Sequence, residues 1–413
     1  MNTTRWLARR SLPALLGVAL LAALLAAGRA PSRVVAVADV HGAYPELVAL
    51  LQRVRLIDRH LQWTGGTASL VQVGDVIDRG TRSRECLDLV MALERQAARR
   101  GGRVIPLLGN HEVMNVMGDV RYVTPAIYAT FATGGSERRR EQARVDYVSF
   151  LAGHRGHSHS ALPPTGDSIR AGWVDSHPAG FFEYRDAFAP TGNYGRWIRS
   201  HHAVLQVGDV VFVHGGLSPA LVATSVSDLD ARVMGEVAAY DSIWGTLVNR
   251  RLVWRYMTLA EAVRFLGEEA TWEQASGEPV DPDAAQAMQR LLNYRTWLAV
   301  SANGPLWYRG LAQAPEDSLI DGVNAMLERL KAQHIVVGHT VVSKTEVITR
   351  FDNRVFLLDT GMLTEEYGGR ASALEILGGT FTAYHADGEP KVLLRAAAPS
   401  PAERPVAHAH RKL

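Results

Sequence analysis

Short apolar runs, each ended by a polar residue, alternate with helically spaced apolar residues over the first 110 positions of the chain. The runs Val34–Ala38, Ser69–Val73 and Val104–Leu108 are typical of short strands buried on both faces. Between them, Pro45–Val54 and Leu87–Ala98 have the apolar spacing of helices. This strand–helix order predicts βαβ units and a parallel sheet, which is an α/β arrangement.

A polar side chain that can bind a metal follows each of the three predicted strands. These side chains are Asp39, Asp75 and Asn110. In sheets of this kind, ligands bind beyond the carboxyl ends of the strands. We therefore expect the three side chains to lie on one rim of the sheet.

The pattern changes after the third predicted strand. Residues 114–200 are rich in aromatic residues, Arg and Gly and contain helical stretches, which predicts a largely helical insertion over the rim. Strand patterns and one long helical pattern follow, and the final runs predict an antiparallel sheet. The later predicted strands are Ala203–Val207, Val210–Val213, His334–Val337, Glu346–Thr349, Val355–Leu358 and the run Ala373–Tyr384, and the helical block is Ser227–Leu298.

The two ends of the chain differ from the predicted catalytic domain, residues 33–395. In residues 1–30, three arginines precede the uncharged apolar run Leu12–Ala27, a layout that predicts a signal peptide or an N-terminal membrane anchor. Either would place the rest of the chain outside the cytoplasm, in the periplasm or secreted, or anchored to the inner membrane. A buried N-terminal helix is the alternative. Residues 396–413 are rich in Ala and Pro and predict a disordered tail.

Composition changes this picture little. The chain has 413 residues, of which 47% are hydrophobic and 21% charged, and a net charge of +2. These values are ordinary for a globular protein and give no reason to expect a nucleic-acid partner. Cys86 is the single cysteine, so no disulfide can form within the chain. Its apolar helical neighbours predict a core position.

Five short motifs follow strand-like runs and carry the candidate chemistry. One such Gly-Asp or His-Gly pair is typical of a simple turn, but five at the ends of successive strands indicate a shared site. Mixed Asp, Asn and His ligands suit manganese, iron or zinc. Two such ions about 3.5–4 Å apart generate a nucleophile and neutralise phosphate oxygens. The motifs are Asp39–Gly42, Gly74–Gly80, Gly109–Glu112, His214–Gly216 and Gly338–Thr340.

Together the five motifs resemble the signature of the phosphoprotein phosphatase family, a branch of the calcineurin-like metallophosphoesterases. The resemblance implies an α/β (α+β) fold, a β-sandwich flanked by helices with a site for two divalent ions at its edge. Manganese is expected, with iron or zinc as alternatives. The implied metal ligands are Asp39 and His41 for the first ion, Asp75 as the bridge, and Asn110, His214 and His339 for the second. The implied catalytic residues are Arg79 and Arg309 for phosphate, His111 as general acid and Asp78 to orient it.

Four segments narrow the resemblance to one branch of the family. Gly338–Val341 lacks the second histidine that many other superfamily members carry two residues on. Leu107–Asn115 and Leu306–Gly310 resemble the bacterial-type Shewanella-like protein phosphatases. Asp359–Met362 stands where eukaryotic members have Ser-Ala-Pro-Asn-Tyr.

The resemblance implies a phosphomonoesterase, a protein phosphatase in particular, that works by in-line attack of a metal-bridging hydroxide. Its substrate would be a phosphorylated protein or peptide, or a small phosphate ester. A hydrolase of diadenosine polyphosphates or nucleotides is the alternative on the same site. An inactive phosphate-binding module is the alternative of another class.

Other residues have simpler interpretations. His154, His157 and His159 predict a solvated loop rather than a metal site, and His201 and His202 predict structural or exposed positions. The charge run Glu137–Arg144 predicts the wet face of a helix, with attraction of acidic phosphoproteins as the alternative. Three aromatic residues could line a cleft, although aromatic side chains more often pack in a core. They are Tyr122, Tyr256 and Trp307.

Overall fold

The computed structural model describes residues 33–154, 167–221, 225–276 and 281–395. The predicted leader, the predicted tail, His157 and His159 lie outside these ranges. Within them, no helix is both long and apolar enough to cross a membrane.

Eleven strands form two sheets in the described part of the chain. The first sheet has six strands, in the order β11-β10-β9-β1-β2-β3. Strands β1, β2 and β3 are parallel, and β9 joins them antiparallel to β1. The strands of this sheet are β1 (Val34–Val37), β2 (Ser69–Gln72), β3 (Arg103–Pro106), β9 (Ser372–Leu377), β10 (Thr380–His385) and β11 (Lys391–Leu394).

The second sheet has five strands, in the order β4-β5-β6-β8-β7. Its strands β5, β6 and β8 are parallel, and β4 and β7 are antiparallel edge strands. The strands are β4 (Val204–Val207), β5 (Val210–Val213), β6 (His334–Val337), β7 (Ile348–Arg350) and β8 (Val355–Leu357).

Helices surround the sheets and form the predicted insertion. Those of the first half are α1 (Tyr44–Arg53), α2 (Ser83–Arg99), α3 (Asn110–Val116), α4 (Pro125–Ala129), α5 (Ser136–Gly153), α6 (Asp167–Ser176), α7 (Phe181–Phe188) and α8 (Asn193–Ile198). Those of the second half are α9 (Val226–Asn249), α10 (Leu259–Ser276), α11 (Pro282–Leu292), α12 (Gly310–Gln313), α13 (Glu316–Leu330) and α14 (Thr364–Tyr367), with a 3₁₀ turn at Tyr294–Thr296.

Alternating side chains of each strand pack on opposite faces, which builds two apolar layers. In β1, Val34 and Ala36 belong to a cluster between the two sheets, whereas Val35 and Val37 pack with the helices. Across the sheets, the rings of Phe356 and Phe381 stack with centroids 4.6 Å apart. The predicted β-sandwich with flanking helices is therefore confirmed.

Two details of the later chain differ from the predictions. The run Ala373–Tyr384 is two strands, because Gly378 and Gly379 adopt positive φ and form a tight hairpin turn. The closing strands do not form one antiparallel sheet, because β8 lies parallel to β6 in the second sheet. The predicted helical block Ser227–Leu298 is confirmed, and it consists of three helices and a 3₁₀ turn.

The carboxyl ends of five strands meet at one edge of the sandwich. Strands β1, β2 and β3 end just before the first three motifs. From the second sheet, β5 and β6 end just before His214 and before the Gly338–His339 turn. The backbone N–H of Gly338 donates to the carbonyl of His214, which links these two turns. One rim therefore carries motifs from both sheets.

Candidate metal centre

Several of the rim residues adopt a backbone conformation that is uncommon for side chains other than glycine. His41, Asp75 and His339 have φ of 48°, 58° and 66°. Asp78 and Arg79 also have positive φ, at 71° and 66°. Left-handed non-glycine residues of this kind cluster at functional sites, where the surrounding structure holds them in place. Sharp turns after the strands thus direct these side chains to the rim.

Asp75 lies at the centre of the site and belongs to two groups of possible metal ligands. One group is His41, Asp75 and His111, and the other is Asp75, His214 and His339, with ligand atoms within 4.8 Å of one another in each. Its Oδ2 is 3.6 Å from His41 Nε2 and 3.2 Å from His214 Nε2. A carboxylate shared by two groups is suited to bridge two ions.

The first group extends to Asp39 and has a defined imidazole orientation. Nδ1 of His41 donates to the carbonyl of Ile77 at 2.9 Å. The lone pair of Nε2 then points towards Asp39 Oδ2, 3.8 Å away, and towards Asp75. In metal sites generally, a backbone carbonyl that accepts from one ring nitrogen of a histidine orients the other ring nitrogen towards the ion. The donor set fits a divalent ion.

The His214 imidazole of the second group is oriented in the same way. Nδ1 of His214 donates to the carbonyl of Val73 at 2.9 Å. Nε2 of His214 lies 2.9 Å from Asn110 Oδ1 and 3.1 Å from His339 Nδ1. When Nε2 of His214 carries no proton, these atoms point lone pairs at one another, and a cation among them satisfies all of them. This donor set also fits a divalent ion.

Two glycines leave room for the carboxylates. A Cβ at Gly109 would overlap Oδ1 of Asp75, and a Cβ at Gly338 would overlap Oδ1 of Asp39. Oδ1 of Asp39 also accepts the backbone N–H of His339 at 2.9 Å. The glycines of the motifs therefore permit the backbone to approach the ligands.

The electrostatics of the ligands favour a cation at the centre. Burial acts to raise the pKa of Asp75, but the charges of His214 and His111 outweigh it and hold that pKa well below its usual range. Burial lowers the pKa of His41 to about 3 and that of His339 to about 2, so both rings are neutral ligands. At His214, burial is opposed by Asp75 and Asp39, which raise the pKa to about 10. The carboxylates thus attract positive charge to this position.

His111, the third member of the first group, has a carboxylate partner of its own. Its Nδ1 is 2.7 Å from Oδ2 of Asp78, and its Nε2 is 3.9 Å from Oδ2 of Asp75. Burial acts to lower the pKa of His111, but Asp75 and the hydrogen bond to Asp78 raise it. Both His111 and Asp78 are buried. The imidazole can therefore carry a proton towards the site.

The two arginines border the same rim. The guanidinium of Arg79 lies over the Tyr122 ring, with Cζ 4.7 Å from its centroid, and 5.5 Å from that of Tyr367. Nη1 of Arg309 donates to the carbonyl of His339 at 2.8 Å and to Thr340 Oγ1 at 3.0 Å. The structure therefore brings all ten sequence-predicted site residues to one edge of the sandwich.

Glu112 and Asp359 contribute to the site although the sequence analysis gave them no role. Oε2 of Glu112 accepts the backbone N–H groups of Asp75 and Gly109 at 2.7 and 2.9 Å, and Oε1 accepts that of Val76 at 2.9 Å. Burial raises the pKa of Asp359 to about 6, and burial together with the neighbouring Asp359 raises the pKa of Asp39. Asp359 follows a predicted strand, and the same strand-end rule would have found it.

Asn115 and Tyr184 also lack a sequence-predicted role. Asn115 Nδ2 donates to Asp78 Oδ2 at 2.9 Å, and its Oδ1 accepts the Tyr184 hydroxyl at 2.6 Å. Asn115 lies within a motif segment, but its tyrosine partner comes from helix α7 and no local pattern connects the two.

The histidines that the sequence analysis did not assign to the metal site make contacts elsewhere in the structure. His154 is the C-cap residue of helix α5, and its ring lies 4.5 Å from that of Phe150. His201 is buried, and the exposed His202 pairs with Asp230 at 2.6 Å.

The other side chains that the sequence analysis did not assign to the site lie in the core, at the surface or beside the site. The side chain of Cys86 is fully buried. In the charge run on α5, Arg139 pairs with Asp186. The Tyr122 ring lies 4.8 Å from that of His111, and the Trp307 ring 5.9 Å from that of His339. Tyr256 contacts Arg139 and Asp186 instead.

Comparisons with known proteins agree with this geometry. The model of the calcineurin-like phosphoesterase family matches residues 32–343. An uncharacterized protein of Schizosaccharomyces pombe, C1840.07c, is 28% identical over 350 residues, 84% of this chain and 77% of that protein. Shewanella-like protein phosphatase 2 of Arabidopsis thaliana is 31% identical over 217 residues, which cover 51% of this chain and about half, 53%, of that relative.

Among solved structures, a cold-active protein-tyrosine phosphatase of a psychrophilic Shewanella species is similar in fold. The TM-score is 0.50 and the sequence identity 23%, and the match covers 88% of this chain and 81% of that chain. At this identity the likeness concerns the fold alone.

Proposed function

This chain belongs to the calcineurin-like phosphoesterase family, and from that premise we propose that it is a dimetal phosphomonoesterase that acts on phosphorylated protein side chains. The observation that carries the proposal is the position of Asp75, whose carboxylate belongs to both groups of possible ligands. A shared carboxylate fixes two ions at the separation that phosphoryl transfer needs.

The proposed ligands come from the two groups and from the neighbouring Asp39 and Asn110. Asp39 and His41 would hold the first ion, Asp75 would be shared by both ions, and Asn110, His214 and His339 would hold the second. His111 is assigned to proton donation instead, because its Nδ1 pairs with the Asp78 carboxylate at 2.7 Å, which favours the protonated ring. Mixed carboxylate, amide and imidazole donors support manganese, with iron and zinc as the alternatives to be tested. When bound, the ions supply Lewis acidity to the attacking water and to the phosphate oxygens.

The residues of the chain provide the rest of the reaction. Arg79 and Arg309 grip the phosphate oxygens with planar guanidinium groups and orient phosphorus for in-line attack by water. As the bond between phosphorus and the ester oxygen breaks, His111 Nε2 donates its proton to the departing oxygen. Asp78 accepts from Nδ1 of His111 at 2.7 Å, which aims Nε2 at the site and stabilises the protonated ring.

A panel of substrates and ions tests this function directly. The purified protein is assayed with phosphopeptides, small aryl phosphates and dinucleoside polyphosphates, each after chelation and after addition of Mn²⁺, Fe²⁺ or Zn²⁺. We expect chelation to abolish turnover and Mn²⁺ to restore it, with phosphopeptides among the substrates. Faster turnover of dinucleoside polyphosphates would favour the nucleotide hydrolase instead. Metal binding with no turnover of any substrate would favour an inactive binding module.

Asp75→Asn tests the bridging carboxylate. It should lower the metal content below two ions per chain and reduce activity on the order of a hundredfold or more, because a neutral amide bridges cations poorly. Asp352→Asn is the matched control, since Asp352 also has positive φ, at 52°, but has an exposed side chain. Full turnover by the Asp75 variant would contradict the proposed site.

His111→Asn tests the general acid. Esters with poor leaving groups should slow roughly 10²–10⁴-fold, whereas esters with good leaving groups should slow much less. Metal content should be unchanged, and exposed His202→Asn serves as the control. Equal losses across the ester series would argue against proton donation by His111.

We also propose that residues 1–30 direct the catalytic domain out of the cytoplasm. The basic residues and the apolar run of this segment support export. Fractionation of cells that express the full chain, followed by mass analysis of its N-terminus, distinguishes a cleaved signal from an anchor. Recovery of the intact chain from the cytoplasm would contradict export.

A further inference from the structure

A chain of buried hydrogen bonds connects the helical insertion with the catalytic pair. The hydroxyl of Tyr184 donates to Asn115 Oδ1 at 2.6 Å. Asn115 Nδ2 donates to Asp78 Oδ2 at 2.9 Å and to the carbonyl of His111 at 2.9 Å. Asp78 Oδ2 also binds His111 Nδ1 at 2.7 Å. All four side chains are buried.

We infer that Tyr184 is a positioning residue for His111 and acts through Asn115 and Asp78. The inference rests on the proposed function, because it assumes that His111 donates a proton to the leaving group. Tyr184 lies on α7, within the helical insertion, and does not itself reach the metal ligands. Its effect on the reaction is therefore indirect.

The orientation of the Asn115 amide is the first step of the argument. An amide has one acceptor oxygen and a donor NH₂ group, and both donor directions are used here, towards Asp78 and the His111 carbonyl. A flipped amide would point its oxygen at the Asp78 carboxylate and repel it. The Tyr184 hydroxyl selects the productive orientation by donating to Oδ1. Burial raises the pKa of Tyr184 well above its usual value, which keeps this donor protonated.

The dependence of Asp78 on Asn115 is the second step. Oδ2 of Asp78 accepts hydrogen bonds from His111 and from Asn115, whereas Oδ1 has no partner among the described residues. Asn115 therefore provides one of the two hydrogen bonds that hold this buried carboxylate. If the amide rotates, Asp78 loses that bond and no longer fixes the imidazole of His111.

The insertion itself determines where the hydroxyl lies. The Tyr184 ring packs between aromatic neighbours, stacked on Phe188 at 4.4 Å and edge-on to Phe131 at 4.9 Å and to Tyr128 at 5.2 Å. With two rotatable side-chain bonds and this packing, the hydroxyl has little freedom. The placement of the general acid thus depends on the packing of the insertion.

Tyr184→Phe tests the inference, with Tyr128→Phe as the matched control. Both variants remove one hydroxyl from the same aromatic cluster, but only Tyr184 donates to Asn115. We expect Tyr184→Phe to slow alkyl and phenyl phosphates by roughly tenfold and p-nitrophenyl phosphate by less than about threefold, because only poor leaving groups need the proton. The metal content and the thermal unfolding midpoint should match those of Tyr128→Phe within a few degrees.

A double-mutant cycle with Asn115→Ala distinguishes positioning of His111 through Asn115 from a general loss of packing in the insertion. If Tyr184 acts through Asn115, Tyr184→Phe should cause no further loss in the Asn115→Ala background. Additive losses of activity in the double variant would overturn the inference. So would equal slowing of all esters by Tyr184→Phe, or the same activity for Tyr184→Phe and Tyr128→Phe. In each case the wild-type protein remains an active phosphatase. An inactive wild-type protein would overturn the proposed function, and the inference with it.

Discussion

Replacing Glu112 with glutamine should weaken both the fold and the metal centre, although the two side chains have almost the same shape. The carboxylate is 2% exposed and accepts three backbone N–H groups, from Asp75, Val76 and Gly109. These bonds hold Asp75 in its left-handed conformation, with φ of 58°. Glu112 therefore supports Asp75, the proposed bridging ligand, through backbone hydrogen bonds.

The expected magnitude follows from counting these bonds. The amide oxygen of glutamine can keep the two N–H groups that Oε2 accepts, but its NH₂ group would face the N–H of Val76. Burial raises the pKa of Glu112 to about 7, so the carboxylate form is complete only above this pH. At such a pH one charge-assisted bond is lost, at about 1.5–3 kcal/mol, and the two others become neutral and weaker. Relief from burying a charge opposes this loss. We expect a net decrease of about 2 kcal/mol in the free energy of unfolding for Glu112→Gln. For Glu112→Ala, which leaves all three buried N–H groups unpaired, we expect about 4–5 kcal/mol.

Urea unfolding in the presence of a chelator measures these differences without a contribution from bound metal. Glu85→Gln is the control, since Glu85 is exposed and pairs with Arg82 on the surface, and it should change stability by less than about 1 kcal/mol. Metal analysis of the same variants should show partial loss of ions for Glu112→Gln. Wild-type stability of Glu112→Gln, or an alanine variant no less stable than the glutamine variant, would refute the reasoning.

Three further predictions concern single positions. Gly338→Ala places a Cβ against Oδ1 of Asp39, so metal content and activity should both fall sharply, and an unchanged metal content would contradict the proposed packing. Gly235 lies at an exposed position of α9, and no atom lies within 4 Å of a Cβ added there. Gly235→Ala should therefore raise the free energy of unfolding by about 0.5–1 kcal/mol in urea titrations. A decrease would contradict the open position. The Cys86 thiol is buried, and burial raises its pKa, so iodoacetamide should modify it only after unfolding; mass analysis showing one adduct on the native protein would contradict this.

The local features of the fold could be predicted from the sequence because short apolar runs and polar turns encode them directly. The run Val34–Ala38 predicted a strand, and β1 spans Val34–Val37. Helix α2 spans Ser83–Arg99, so it begins four residues before the predicted Leu87–Ala98 and ends one residue after it. The predicted resemblance to calcineurin-like phosphoesterases and to Shewanella-like phosphatases is confirmed by the family match and by the relatives.

Long-range pairing could not be predicted in the same way. Val35 pairs with Glu375 across the first sheet, a separation of 340 residues that no local pattern contains. The contact of Tyr184 with Asn115 joins a helix of the insertion to a motif 69 residues earlier, and it depends on how the helices pack. The motifs therefore indicated the candidate ligands and the rim that they share, but not the contacts that hold them in place.

The proposed ligands of the two ions come from very different spans of the chain. Asp39, His41 and Asp75 lie within one stretch near the start, whereas the second group needs His214 and His339 as well. The N–H of His339 meets Asp39 across 300 residues. During synthesis, a nascent chain can complete the first group early, but the second exists only when both sheets have come together. We therefore expect the second group to bind its ion only after the two sheets have packed together.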